Sequence, residues 1–405
     1  MRRRIWIFST VIIALSLLFS YENKFTHVKE GSGAGKISLQ HSPEFTDING
    51  GYTRLAKMGQ GHTTEIGMPE LPTYSTFYQV DPQKIYEYEL EVIESYIIDN
   101  IDILPHQGVD NEWDVKNITH LNQEFYFSAM SYPAENLIVS DRMPGRGIEM
   151  VNIQVIPYLY YPSTSQLEVY SQVAVNIIEV GDNSDHQLDQ PKRSHIFDKL
   201  YQGFIVNFEI SSRDDDYQHS AILYIGGGSS LNNSYVQDLI EWRHKQGYIV
   251  YTATESEVGG SSASTSEIKN YIQDAMDWEN PPEIVGLIGD TGGSYSLPCN
   301  YHEWGSGWYN YNGATDFDYT QIYGNDLLAD VLIGRISAED SDDLNNIINK
   351  TIQYEKGIYQ TEAFFKGAAL VGDPSQGTGN SAIFTNQYIE NIMINHGFNA
   401  HGIGT

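Results

Sequence analysis

The hydrophobic pattern of this chain changes period once, and that change sets what it can fold into. From about Ser38 to Val180 apolar and polar residues alternate. In Tyr86-Glu87-Tyr88-Glu89-Leu90-Glu91-Val92 every glutamate falls on one side of an extended chain and every apolar residue on the other. Leu167, Val169, Val173, Val175 and Ile177 repeat the pattern, so this half predicts an all-β domain with one wet face. From Ala221 onward short apolar runs alternate with helical stripes, the signature of a mostly parallel sheet with helices on both faces.

In the second half, Ala221 to Ile225 reads as a buried strand. Val236, Leu239 and Ile240 then mark a helix that ends before Gly247. Tyr248 to Ala253 is a second strand, and Ser264-Thr265-Ser266-Glu267 has capping-box spacing at the head of another helix. Ile284 to Ile288, Asp330 to Ile333 and Gly367 to Val371 continue the strands, with helical stripes at Leu344, Ile347 and Ile348 and at Tyr388, Ile389, Ile392 and Met393. Between the halves, residues 181–218 are polar, with Gln190-Pro191-Lys192-Arg193 and Arg213-Asp214-Asp215-Asp216 around an apolar interlude from Gly203 to Ile210. This predicts an exposed linker. At the amino terminus Arg2-Arg3-Arg4 precedes an apolar run from Ile5 to Phe19, which is the layout of a secretory signal, with an uncleaved anchor as the alternative. The expected organisation is thus 1–20 signal peptide, 21–180 β-rich domain, 181–218 linker and 219–405 α/β domain.

A length of 405 residues with 40% hydrophobic residues is enough for two cores. The 53 acidic residues outweigh the 23 basic ones, and the resulting net charge of −30 repels phosphate backbones and anionic lipid. Nucleic acid and a stable membrane partner are therefore not expected. The surplus carboxylates offer ligands for Ca²⁺, although solvated acidic faces are the favoured account of such charge. With one cysteine, Cys299, no intrachain disulfide can form within these residues.

Ligands and catalytic groups of parallel sheets gather past the carboxyl ends of the strands, which here means Gly226-Gly227-Gly228, Gly289-Asp290, Gly334-Arg335 and Gly372-Asp373. The glycine run lacks both the Walker lysine and the last glycine of a dinucleotide loop, since Leu231 stands there; a tight strand-to-helix turn is expected. Cys299 and His302 are three residues apart in a loop, whereas catalytic pairs of this type come from distant segments, and they lack the further ligands of a zinc site. His396 and His401 beside glycines read as helix-end residues. Asp290 and Asp373 could cap the segments that follow, bind Ca²⁺ or orient an imidazole.

Four stretches carry a resemblance. Gly67-Met68-Pro69-Glu70-Leu71-Pro72-Thr73-Tyr74-Ser75, Asp238 to Tyr248, Pro281 to Asp290 and, most closely, Gly324 to Lys356 resemble, in order, the propeptide and peptidase domain of gingipain-like cysteine peptidases. The resemblance implies a caspase-like domain in which a cysteine thiolate attacks a peptide carbonyl and a histidine protonates the leaving amine. It implies that both groups follow residue 405, so the α/β domain is expected to be incomplete and residues 1–405 alone inactive. Asp373 matches the acid that orients the catalytic histidine, and Ala382 the acid lining the primary specificity pocket. An arginine side chain would find no carboxylate there. The implied partners are protein or peptide substrates and the chain's own prodomain, which would cover the strand ends until cleavage after Arg193 or Arg213. The implied location is secreted or cell surface, with no required cofactor and Ca²⁺ as an option. The alternative is a non-catalytic gingipain-like surface or binding protein.

Overall fold

The computed structural model describes residues 25–29, 34–48, 51–55, 61–108, 118, 120–184, 192–211, 213, 217–260, 262–304, 311–324, 326–358, 361–371 and 381–399. The expected signal segment lies outside them. The first half contributes strands β1 (Phe25–Lys29), β2 (Gly35–Gln40), β3 (Thr46–Ile48), β4 (Tyr52–Arg54), β5 (Tyr74–Val80) and β6 (Lys84–Ile98). These are followed by β7 (Leu137–Val139), β8 (Met143–Gly145), β9 (Ile148–Val155), β10 (Tyr158–Tyr161) and β11 (Gln166–Asp182). One antiparallel sheet runs β1-β2-β11-β10 with β6 added on β11; a second runs β5-β9-β7, with β8 also on β9. Their inner faces share one core that includes Ile37, Leu39, Tyr78, Ile153, Tyr158, Leu167 and Val175. The alternation expected around Tyr86 holds to Leu90; beyond it the strand carries Val92, Ile93, Tyr96 and Ile97 exposed.

The second half builds a four-stranded sheet from β12 (Ala221–Gly226), β13 (Ile249–Thr254), β14 (Ile284–Ile288) and, after a hairpin of β15 (Asn300–Trp304) and β16 (Tyr311–Thr315), β17 (Leu332–Ile336). The order is β13-β12-β14-β17 and every pair is parallel. All of β12 is buried, as a central parallel strand with covered faces must be. The Thr265–Ala275 helix packs on one face through Ile268, Ile272 and Ala275; the Ser234–Lys245 and Ser341–Glu355 helices pack on the other through Val236, Leu239, Leu344 and Ile348. Ser264 forms the capping box with Glu267 that its spacing predicts. Gly367 to Val371 does not form the expected strand: it is irregular, and Val371 is 91% exposed. A strand is held by its ladder, and among the described residues nothing pairs with this segment.

The segment between the halves is not the exposed linker that its composition suggests. Ser194 caps a helix, His195–Tyr201, whose Phe197 and Tyr201 are buried with Ile205 against Ile148 and Met150 of β9; Leu328 and Leu332 of the second half pack on the same cluster. Each such large apolar side chain contributes about 1.5–3 kcal/mol when buried, so the segment is a wedge between two domains. Polar residues flank it, but its own apolar face decides where it goes.

Arg146 completes the seam. It is 2% exposed and reaches from the turn after β8 to the carbonyl oxygens of Pro281, Pro282 and Asp330, at 3.2, 2.9 and 3.2 Å, and to the side-chain oxygen of Gln218 at 3.3 Å. Those acceptors stand just before β14, β17 and β12. The β domain therefore docks at the amino ends of the parallel strands, not over their carboxyl ends as the sequence reading expected. Beside the seam the buried Ser194 hydroxyl donates to the buried Glu283 carboxylate.

Candidate active-site edge

In a sheet ordered β13-β12-β14-β17 the chain reverses direction across β12, so the crevice that such sheets offer to ligands opens between the carboxyl ends of β12 and β14. Here the chain fills that crevice itself. A Cβ on Gly227 would lie 2.4 Å from the Tyr295 carbonyl oxygen, one on Gly228 2.3 Å from that of Ser294, and one on Gly289 1.9 Å from that of Tyr295. Gly228 and Gly289 also have φ of 52° and 149°. The glycines serve a close backbone crossing, and a phosphate has no room between them. Asp290 caps the turn it begins, its carboxylate accepting from Thr291 N–H at 2.6 Å.

The crossing chain leads into the β15–β16 hairpin, and Arg335 at the end of β17 pins it. Its guanidinium donates to both carboxylate oxygens of Asp316 at 2.8 Å and to the carbonyls of Gly289, Leu297 and Pro298 at 3.0, 3.1 and 2.9 Å. Burial works against the charge, but the Asp316 carboxylate outweighs it and holds the Arg335 pKa up. The lone arginine in Val331-Leu332-Ile333-Gly334-Arg335-Ile336 was the available signal; Asp316 carried none.

On this hairpin Cys299 and His302 separate. Cys299 is buried and shares a face with Tyr301, whose pKa is raised first by its hydrogen bond with the Cys299 side chain. His302 projects from the other face of the strand, half exposed, with Nε2 2.9 Å from the Asp318 carboxylate. Among the described residues no hydrogen bond joins the thiol to the imidazole. Of the residues singled out by the resemblance, Asp373 lies outside the described residues and Ala382 stands in the first turn of the Ser381–Asn395 helix. Arg193, a candidate cleavage point, is held by Asp198 at 2.9 Å and donates to the Glu209 carbonyl at 2.9 Å, with Phe208 and Tyr217 rings beside it; Arg213 is exposed. A pocket of about 480 Å³ lined by Lys29, Tyr78, Arg193 and Arg213 lies on the β domain, away from the strand ends.

Comparison with known proteins agrees with this layout. The model of the C25 propeptide matches residues 42–214, and that of peptidase family C25 matches residues 217–401. Gingipain R1 of Porphyromonas gingivalis is 26% identical over 388 residues, covering 93% of this chain and 36% of the relative. Gingipain R2 of the same species is 24% identical over 371 residues, covering 88% of this chain and 48% of the relative. The chain thus spans less than half the length of these curated relatives. A solved complex of the pro- and mature domains of RgpB from P. gingivalis covers 46% of this chain and 98% of its own, at 19% identity and a TM-score of 0.38. With propeptide and peptidase regions matched in succession along its length, the chain belongs to the gingipain-like C25 family of cysteine peptidases.

Proposed function

We propose that this chain is the amino-terminal part of a secreted or cell-surface cysteine endopeptidase precursor. In this reading residues before the wedge form the prodomain, and residues from about 219 begin the caspase-like peptidase domain. The observation that carries the reading is the pair of C25 matches in family order. The geometry of Cys299 adds a constraint. A thiolate nucleophile needs a base within hydrogen-bond reach, and Cys299 is lodged against Tyr301 with the nearby imidazole on the opposite face. We assign the Cys–His pair to sequence following residue 405, with Asp373 as the residue that orients the histidine and Ala382 at the specificity pocket. Protein and peptide substrates follow from the chemistry. A pocket with alanine in place of an acid would not compensate a desolvated arginine side chain.

Because the β domain docks at the amino ends of the strands, latency then comes from the uncut connection between the domains and not from cover over the carboxyl edge, and cleavage after Arg213 breaks that connection. Arg193 is a poor processing point because a protease must extract its side chain from Asp198 and two aromatic rings. The test is expression of the full reading frame, amino-terminal sequencing of the secreted product and turnover of a mixed fluorogenic peptide library. Thiol-dependent turnover is expected to survive Cys299→Ala, residues 1–405 alone should show none, and a new terminus should follow Arg213. Turnover abolished by Cys299→Ala would overturn the assignment of the nucleophile. Full activity of an uncleaved chain would overturn the latency reading.

A further inference from the structure

A cluster in the β domain, away from the sheet edge and the seam, has the donor chemistry of a metal site. The Gly61–Thr63 segment pairs with Leu71–Thr73 through Thr63 N–H to the Leu71 carbonyl at 2.9 Å and Thr73 N–H to the Gly61 carbonyl at 2.7 Å. The Gly67–Glu70 segment pairs with Leu104–His106 through three backbone bonds of 2.8 Å: Glu70 N–H to Leu104, His106 N–H to Met68 and Gly67 N–H to His106. Thr63 Oγ1 ties the two together, donating to the Pro69 carbonyl at 2.7 Å and accepting from Leu71 N–H at 2.9 Å. This backbone frame brings one donor atom each from His62, Glu70 and His106 within 4.8 Å of one another.

Two of the three residues are deeply buried, Glu70 at 1% and His106 at 4% exposure. Among the described residues His106 Nδ1 is shut off from solvent with no hydrogen-bond partner, and it stands 3.5 Å from Glu70 Oε2. A buried polar atom left in that condition is destabilising, and here it is aimed at a carboxylate with a second imidazole, that of His62, 5.5 Å away between ring centres. Arg54 donates through Nε to Glu70 Oε1 at 2.7 Å, with a longer 3.5 Å reach to Oε2. That arrangement orients the carboxylate as outer hydrogen bonds do for metal-ligating acids, and it leaves lone pairs of Oε2 facing the imidazoles. Its positive charge opposes a cation, so binding depends on the nitrogen ligands.

We propose that His62, Glu70 and His106 form a divalent transition-metal site of the Zn²⁺ class in the β domain, with water as the fourth ligand. Two imidazoles and one carboxylate suit Zn²⁺, whereas Ca²⁺ takes six to eight oxygen ligands and finds too few here. Bound metal would tie the segment around His62 to the paired strands carrying Glu70 and His106, and so stiffen the domain from within.

The test uses the full chain, stripped with a chelator, with ZnCl₂ and CoCl₂ as probes. Zinc should raise the melting temperature with saturation at one equivalent, and Co²⁺ should give the visible absorption of a low-coordinate N/O site. His62 is only half buried, so His62→Ala should melt like wild type without metal and lose the zinc-induced rise. Its affinity should fall by more than the roughly 10–100-fold that outer ligand partners contribute. His62→Cys, which restores a zinc ligand, should recover binding, and Cys299→Ala, which removes the one thiol of residues 1–405, should leave the signal intact. Absence of a zinc effect on wild type, or an equal effect on wild type and His62→Ala, would overturn the site; the former would mean that Arg54 alone neutralises Glu70.

Discussion

Both ends of the parallel sheet are closed by an arginine, and the two work differently. At the amino end Arg146 comes from the other domain and meets carbonyl and amide oxygens, with Nε buried and without a hydrogen-bond partner among the described residues; burial holds its pKa down. At the carboxyl end Arg335 belongs to the sheet itself and has a carboxylate, Asp316, on both sides of its fork. Arg146 is a cation held by neutral dipoles across a domain boundary, so its removal opens a seam. Arg335 is half of an ion pair inside one domain, so the damage from removing its partner should stay local.

The largest expected effect is at Arg146. Arg146→Ala strands the Pro282 and Asp330 carbonyls and the Gln218 side-chain oxygen in a buried seam, at about 1–3 kcal/mol for each that water cannot reach, while the Pro281 carbonyl keeps the Gln218 Nε2 donor at 2.6 Å. A loss of roughly 3–5 kcal/mol is expected, read by urea unfolding as two separate transitions, one per domain. A single transition displaced by less than about 1 kcal/mol would show that the apolar wedge around Phe197 and Tyr201 holds the domains alone.

Next comes Asp316→Ala, which leaves the Arg335 guanidinium largely buried and unpaired at a cost of about 2–4 kcal/mol. The loss should appear in the transition of the α/β domain only. Asp316→Asn, which keeps acceptor geometry without charge, should cost less. Equal losses in the two variants would mean that the carbonyls of Gly289, Leu297 and Pro298 do most of the holding.

These two arginines also mark what could be read from residues. Arg335 interrupts an apolar run, so a special role was visible even though Asp316, 19 positions earlier, was not. Arg146 follows Met143-Pro144-Gly145 in an ordinary turn, and its acceptors at Pro282 and Asp330 are 136 and 184 residues away. No local pattern encodes a contact made only when two domains dock. Strands with continuous apolar runs, β12 and β14, fell where periodicity put them. The need for glycine at Gly227 and Gly228 was legible, but its cause, the crossing backbone of Ser294 and Tyr295, was not. The wedge was mistaken for a linker because flanking polar residues outweighed the buried face of Phe197, Tyr201 and Ile205.

A smaller effect distinguishes the ends by pH. Asp330, whose carbonyl accepts from Arg146, is buried, and desolvation raises its carboxyl pKa from 3.8 to about 6 although Ile322 and Tyr323 N–H groups donate to it. The folded state therefore holds the proton more tightly than the unfolded state. The associated stability is fully present below about pH 4 and is lost as the pH rises to about 6, a swing of at most about 2–3 kcal/mol. Asp330→Asn should remove that slope in urea midpoints measured between these values. A variant with the wild-type slope would place the titration elsewhere.

The smallest effects are expected at the hairpin that Arg335 pins. Cys299→Ala removes one buried sulfur and should cost about 1 kcal/mol or less, with little cavity left behind. His302→Ala breaks a half-exposed contact with Asp318 that water and salt already screen, for under about 1 kcal/mol. If the carboxyl edge is a scaffold whose chemistry is supplied from later sequence, neither change touches a reacting atom. In the full reading frame each variant should keep kcat/KM within about twofold of wild type, below about 0.5 kcal/mol of barrier. Loss of kcat by several orders of magnitude in either variant, with the fold intact by circular dichroism, would instead put the catalytic pair on the two faces of this hairpin. It would also require the strand to turn over during the reaction, since Cys299 and His302 point to opposite sides of it.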